Sequence, residues 1–204
     1  MGINKERRQL MHLLDNFDYI QRTAKHVAES IANKQRITYW AWRIENVFPD
    51  DVLTDINDFM QSNIKWEHVD LQDSMPRQAA HWDQIDVSAY KRIHYAFQSL
   101  TPVVREAFNE HIEFAHSNMW KDDKSYTITP HLDNSNIKYA LQVYLNDAGE
   151  DCGTSIYESD QLDTEIYKFP FIKNTGYIMH NTPNSWHGMM TPGNIRRSLY
   201  VNYR

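Results

Sequence analysis

Apolar residues recur through residues 4 to 33 at three- and four-residue intervals: Leu10, Leu13, Leu14, Phe17, Ile20, Ala24, Val27 and Ile31. That spacing lays one apolar stripe along a long amphipathic helix. The stripe must be buried, either against the rest of the chain or against a second copy of it, so a homodimer is one way to cover it. Residues 37 to 45, ITYWAWRIE, are β-branched and aromatic and predict a strand. In the next stretch, FPDDVLTDINDFMQS, Pro49 stands at a helix start, acids fill the first turn, and Val52, Ile56 and Phe59 follow as the buried face. Residues 63 to 90 show no sustained period and read as loops. From Pro102 to about Phe114 a third helical pattern runs through Val104, Phe108 and Ile112.

After residue 116 the texture changes to short β-type runs separated by turn signals: NMW, SYTIT, IKYALQVYL, TSIY, EIYKF, GYIMH and RRSLYVNY. Helices followed by many short strands predict an α+β fold, a jelly-roll or cupin-like barrel with the N-terminal helices packed on one sheet. Two strands show their faces. In IKYALQVYL the odd positions Ile137, Tyr139, Leu141, Val143 and Leu145 are apolar, and the even positions are mixed. In RRSLYVNY the positions Leu199, Val201 and Tyr203 make the apolar face, and Arg196, Ser198, Tyr200 and Asn202 the polar one. The apolar faces belong under the helices and the polar faces around a common pocket.

The length of 204 residues favours a single domain over residues 1–204, with 1–116 as helical support and loops and 117–204 as the β-barrel core. Hydrophobic residues at 41% and charged residues at 24% are ordinary for a globular chain, and no run approaches the roughly 18 apolar residues of a membrane helix. The start, MGINKERRQL, lacks the apolar core of a signal peptide, and Glu6 stands where a myristoylation signal needs Ser or Thr, which predicts a cytoplasmic protein. A net charge of −6 without a basic stripe argues against nucleic acid as the main partner. With Cys152 as the only cysteine, an internal disulfide or a thiolate cluster is excluded, and a metal would have to be held by imidazole and carboxylate.

The candidate chemistry meets that condition. His131 and Asp133, in PHLDNSN, are two positions apart, so an extended backbone projects both to one side. His187, in NSWHGMM, is the best third ligand, and two imidazoles with one carboxylate form the facial triad of non-haem Fe(II) oxygenases, which zinc would also tolerate. Nine residues on, Arg196 and Ser198 share a strand face, and a guanidinium beside a hydroxyl suits a carboxylate. The competing pair His111 and His116 lies five apart, which a helix points in different directions, and Glu113 is misplaced for a zinc-protease motif.

His131-Leu132-Asp133, the distal His187 and Arg196-Arg197-Ser198 together resemble the Fe(II)/2-oxoglutarate-dependent oxygenases. YLN, from Tyr144 to Asn146, is similar to the prolyl-hydroxylase branch, and CGTSIY looks like the family's turn and strand with Cys152 in place of a first glycine. The resemblance covers residues 117 to 204 in specific motifs and implies a double-stranded β-helix. It implies Fe(II) on His131, Asp133 and His187, and 2-oxoglutarate held by Arg196, Ser198 and Tyr144. Tyr126 would serve that co-substrate or the primary substrate. Consumption of O2 with release of succinate and CO2 would hydroxylate an unactivated C–H of a small molecule, such as an amino acid or derivative, or of a peptide side chain. Halogenating relatives lack the carboxylate that Asp133 supplies. The loop SMPRQAAHWD falls where this family often contacts substrate, which makes Arg77, His81 and Trp82 candidates, and Trp186 is a candidate pocket wall. Two other readings are a non-catalytic barrel that binds a metal and a carboxylate, and a zinc hydrolase of cupin shape.

Overall fold

The computed structural model describes residues 2–61, 64, 66–69, 77–81, 88–190 and 193–204, with the backbone alone at residues 2–14, 81, 88 and 89. The N-terminal stripe forms α1 (Gly2–Ala32), whose Tyr19, Ala24, Val27 and Ile31 are buried. A short hairpin follows, β1 (Gln35–Arg36) and β2 (Ala41–Glu45). The strand expected over 37–45 is therefore shorter. Ile37 and Thr38 both donate their backbone N–H to the carbonyl of Ala41, and Trp40 N–H donates to the Thr38 hydroxyl. This local side-chain turn takes the donors that a strand would use.

Helix α2 (Asp50–Gln61) carries Asp50 and Asp51 in its first turn and buries Val52, Leu53, Ile56, Phe59 and Met60. The stretch expected to be loop contains β3 (Glu67–His68) and β4 (Arg77–His81), and it runs into α3 (Ser88–Ser99). β4 has no β-branched residue and owes its conformation to pairing with its neighbour, a tertiary override of weak strand propensity. α3 is an element the residue spacing above does not assign, although Tyr90, Ile93 and Phe97 recur on one buried face. Helix α4 (Thr101–Phe108) stops earlier than Phe114, because Asn109 adopts the left-handed conformation (φ 52°, ψ 42°) and its N–H returns to the last turn.

The remaining strands are β5 (Phe114–Asp122), β6 (Ile128–His131), β7 (Tyr139–Tyr144), β8 (Ser155–Tyr157), β9 (Glu165–Lys168), β10 (Thr175–His180), β11 (His187–Met189) and β12 (Arg196–Tyr203). They make two antiparallel sheets, of order β1-β2-β10-β7-β12-β5-β4-β3 and β6-β11-β8-β9. Helices α1–α4 pack on one face of the larger sheet, where Phe48, Phe59, Tyr90 and Phe97 meet Leu141, Val143, Leu199 and Val201 in one core. The alternate positions of β7 and β12, Gln142, Arg196 and Tyr200, line a cavity on the opposite face, together with residues of the smaller sheet. Among the described residues no helix is long and apolar enough to cross a membrane.

Phe97 joins the helical layer to the strand that carries the cavity residues. Its ring is fully buried edge-on to Phe48, and its carbonyl accepts the Tyr203 hydroxyl of β12 at 3.0 Å. Phe97→Ala is expected to cost about 3–5 kcal/mol in urea unfolding. A loss below about 1 kcal/mol, well under the usual range for a buried aromatic, would show that α3 is not docked as described.

Candidate functional site

The smaller sheet brings two histidines together by register. β11 pairs with β6 so that His187 stands directly opposite His131, and their rings lie 4.4 Å apart between centroids. Asp133 follows β6 in a turn closed by Asn181, whose amide donates to the carbonyls of Asp133, Asn134 and Ile137. Asp133 Oδ1 comes to 3.7 Å from His187 Nε2. One potential ligand atom from each of His131, Asp133 and His187 lies within 4.8 Å of the other two.

The protonation pattern suits a metal. His131 Nδ1 is 2.9 Å from the Thr129 carbonyl, and His187 Nδ1 is 2.9 Å from the Ser185 carbonyl. A carbonyl only accepts, so each Nδ1 carries a hydrogen and Nε2 is the ring nitrogen left to meet a metal. Burial, and then the neighbouring His187, push the His131 pKa down to about 4, which leaves a neutral imidazole near pH 7. Asp133 Oδ2 accepts the Tyr200 hydroxyl at 3.1 Å. Burial, reinforced by the Asp133 charge, raises the Tyr200 pKa well above its ordinary value, so this phenol stays a donor. Its ring stacks on Trp120 with centroids 4.5 Å apart.

The three clustered residues open on a cavity of about 500 Å³ between the sheets, lined also by Arg77, Trp120, Tyr126, Gln142, Thr154, Tyr177 and Arg196. One end is charged. Arg196 Nη2 donates to Asp122 Oδ2 at 2.6 Å and Nη1 to the Cys152 carbonyl at 2.8 Å. Arg77 grips the same carboxylate, with Nε 2.6 Å from Oδ1 and Nη2 3.0 Å from Oδ2. All three side chains are buried, so two guanidinium groups and one carboxylate leave a net positive charge out of water. Tyr126, only 1% exposed, faces both arginines at 4.2 and 5.6 Å, and its hydroxyl has no hydrogen-bond partner among the described residues.

The other sequence candidates are placed as follows. Ser198 accepts from Gln142 Nε2 at 2.7 Å, and the Tyr177 hydroxyl donates to Gln142 Oε1, so Ser198 braces the cavity wall through Gln142. Tyr144 is fully buried and stacked on Phe171; its hydroxyl accepts the Thr154 N–H at 3.3 Å and it does not itself line the cavity. Arg77 is inside, on a strand, where the sequence reading put it on a substrate loop. His81 lies on β4 opposite Asn118, and Trp82 lies outside the described residues. Trp186 is half-buried and is not among the cavity-lining residues. His116 stands on β5 beside Asn202 and does not join His111 in a metal-ligand cluster among the described residues. Sequence reasoning missed Asp122, Trp120, Thr154 and Tyr177. Gln142 and Tyr200 were visible only as members of polar strand faces.

No family model and no curated protein matches the sequence. Solved structures do match the fold. A prolyl hydroxylase from Trichoplax adhaerens, in complex with a hypoxia-inducible-factor peptide, superposes with a TM-score of 0.60 at 14% identity, covering 95% of this chain and 92% of that one. A prolyl-4-hydroxylase from Pseudomonas putida gives 0.61 at 13% identity, over 89% and 98%. HygX from Streptomyces hygroscopicus, with nickel and 2-oxoglutarate bound, gives 0.59 at 12% identity, over 80% and 82%. The chain thus has the mixed helix and antiparallel-sheet fold of these oxygenase structures.

Proposed function

We propose that this protein is an Fe(II)/2-oxoglutarate-dependent dioxygenase that hydroxylates an unactivated C–H of a small molecule or a peptide side chain. The observation that carries the reading is the opening of the His131, Asp133 and His187 cluster on the same cavity as the buried, net-cationic arginine end. We further propose that residues 1–204 form one domain, in which the two sheets make a jelly roll. The likeness to prolyl hydroxylases and to a 2-oxoglutarate-bound structure supports the fold that the reading needs.

The residues fit both groups. Two imidazoles whose Nδ1 atoms face carbonyls and one carboxylate, without thiolate, form a donor set suited to Fe(II) that leaves coordination positions open. A dicarboxylic keto acid would place its distal carboxylate at Arg196, where the cluster carries net positive charge, and give the Tyr126 hydroxyl the partner it lacks. When bound, the iron and 2-oxoglutarate supply the oxidising power, consuming O2 and releasing succinate and CO2. The protein's own contribution is placement and exclusion of water. Tyr200 holds the outer oxygen of Asp133, Trp120 holds Tyr200, and the sheet register holds the imidazoles.

Three outcomes test these roles. Under anaerobic conditions Fe(II) with 2-oxoglutarate should give a visible metal-to-keto-acid charge-transfer band in the wild type and none in folded His187→Ala; its absence from both would contradict the proposal. Arg196→Ala should weaken 2-oxoglutarate binding by about tenfold or more, the loss of a charge-assisted pair, with Fe(II) affinity held within about threefold, and parallel loss of both in direct titrations would remove Arg196 from the co-substrate site. Tyr200→Phe keeps the stack on Trp120 and deletes one hydrogen bond to Asp133. It should weaken metal affinity by about tenfold, the low end for loss of such a supporting bond, whereas unchanged affinity would show that Asp133 needs no such support.

A further inference from the structure

Arg196 is not a free cation. Asp122 lies 2.6 Å from it in a buried setting, and on its own that carboxylate would cancel the charge offered to a second carboxylate entering the cavity. What prevents this is Arg77. The three residues are opposite one another across neighbouring strands, Arg196 on β12, Asp122 on β5 and Arg77 on β4. Arg77 therefore engages both oxygens of Asp122 from the far side, and its guanidinium is held between the Trp120 ring at 3.7 Å and the Tyr126 ring at 4.2 Å.

The arrangement is costly unless something completes it. Arg77, Asp122 and Arg196 are 6%, 1% and 5% exposed, so the surplus positive charge is shielded from water. Both arginines line the cavity and Asp122 does not, which directs that surplus toward a ligand. The Tyr126 hydroxyl in the same cavity, without a partner among the described residues, is an independent sign of a missing acceptor. The ligand class is an anion.

We propose that Arg77 is a specificity-determining residue of the co-substrate site. Its charge offsets Asp122 and so gives Arg196 the net charge that selects a 2-oxo acid with a distal carboxylate over one without. This rests on the reading of the site as a 2-oxoglutarate site. It replaces the role of primary-substrate contact that Arg77 would have on a surface loop. In this scheme Asp122 positions both guanidinium groups and contributes a charge that must be countered.

The test compares equilibrium binding of 2-oxoglutarate and 2-oxopentanoate, a five-carbon 2-oxo acid without the distal carboxylate, to the Fe(II)-loaded full chain without oxygen. The wild type should prefer 2-oxoglutarate. Arg77→Gln leaves Asp122 paired with Arg196 and should lower that preference at least tenfold while 2-oxopentanoate affinity stays within threefold. Arg77→Lys, which keeps the charge, should retain most of the preference. The combination of Arg77→Gln with Asp122→Asn restores the net charge and should restore the preference to within about threefold of wild type. An unchanged ratio in Arg77→Gln, equal weakening of both acids, or a double variant no better than the single would overturn the assignment. If the wild type binds neither acid, the oxygenase reading itself fails and this role falls with it; if it binds both and only the variants disobey, the failure is confined to Arg77.

Discussion

The pairing of β11 with β6 is the contact on which the site depends. It sets His187 opposite His131 at a fixed register, and a slip of one residue would turn one imidazole to the other face of the sheet. Asp133 adds to this pair only because Asn181 ties its turn to the start of β7. The candidate metal ligands come from two segments of the chain, residues 131–133 and His187, and are held by backbone pairing and one amide, with Tyr200 donating to the carboxylate of Asp133.

The larger sheet solves a different problem. Every residue of β7 is buried, yet its two faces have unlike tasks. Leu141 and Val143 face the helices with Leu199 and Val201, and Gln142 faces the cavity with Arg196 and Tyr200. The helical layer closes one side of the sheet, which lets β12 spend its other side on polar and charged groups. Most of the cavity-facing groups are paired. Gln142, Ser198 and Tyr177 satisfy one another, and Asp122 bridges two arginines, so these cavity groups form connected networks, whereas the Tyr126 hydroxyl has no partner among the described residues. That hydroxyl lies at the place where the co-substrate is proposed to bind.

Much of this was legible in the sequence because the informative signals were periodic or local. The alternation in IKYALQVYL and RRSLYVNY separates helix-facing from cavity-facing residues, and the two-residue step from His131 to Asp133 is visible in one line of text. What stayed hidden depends on register between distant segments. Nothing in RQAAH marks it as a strand or places Arg77 against Asp122; that follows only from the pairing of β4 with β5. The turn at Ile37 to Trp40 and the left-handed Asn109 are local decisions that propensity alone reads the wrong way. The helix α3 is the opposite case, since its apolar positions were available and its polar and aromatic neighbours masked them.

The most direct measurement is a crystal structure of the full chain grown without oxygen in the presence of Mn(II), as a redox-quiet substitute for iron, and 2-oxoglutarate, with anomalous data at the manganese edge. The account predicts one strong anomalous peak bonded to His131, Asp133 and His187, with the keto acid chelating it and its distal carboxylate at Arg196. A peak elsewhere, or a keto acid whose distal carboxylate avoids the Arg77, Asp122 and Arg196 cluster, would contradict it.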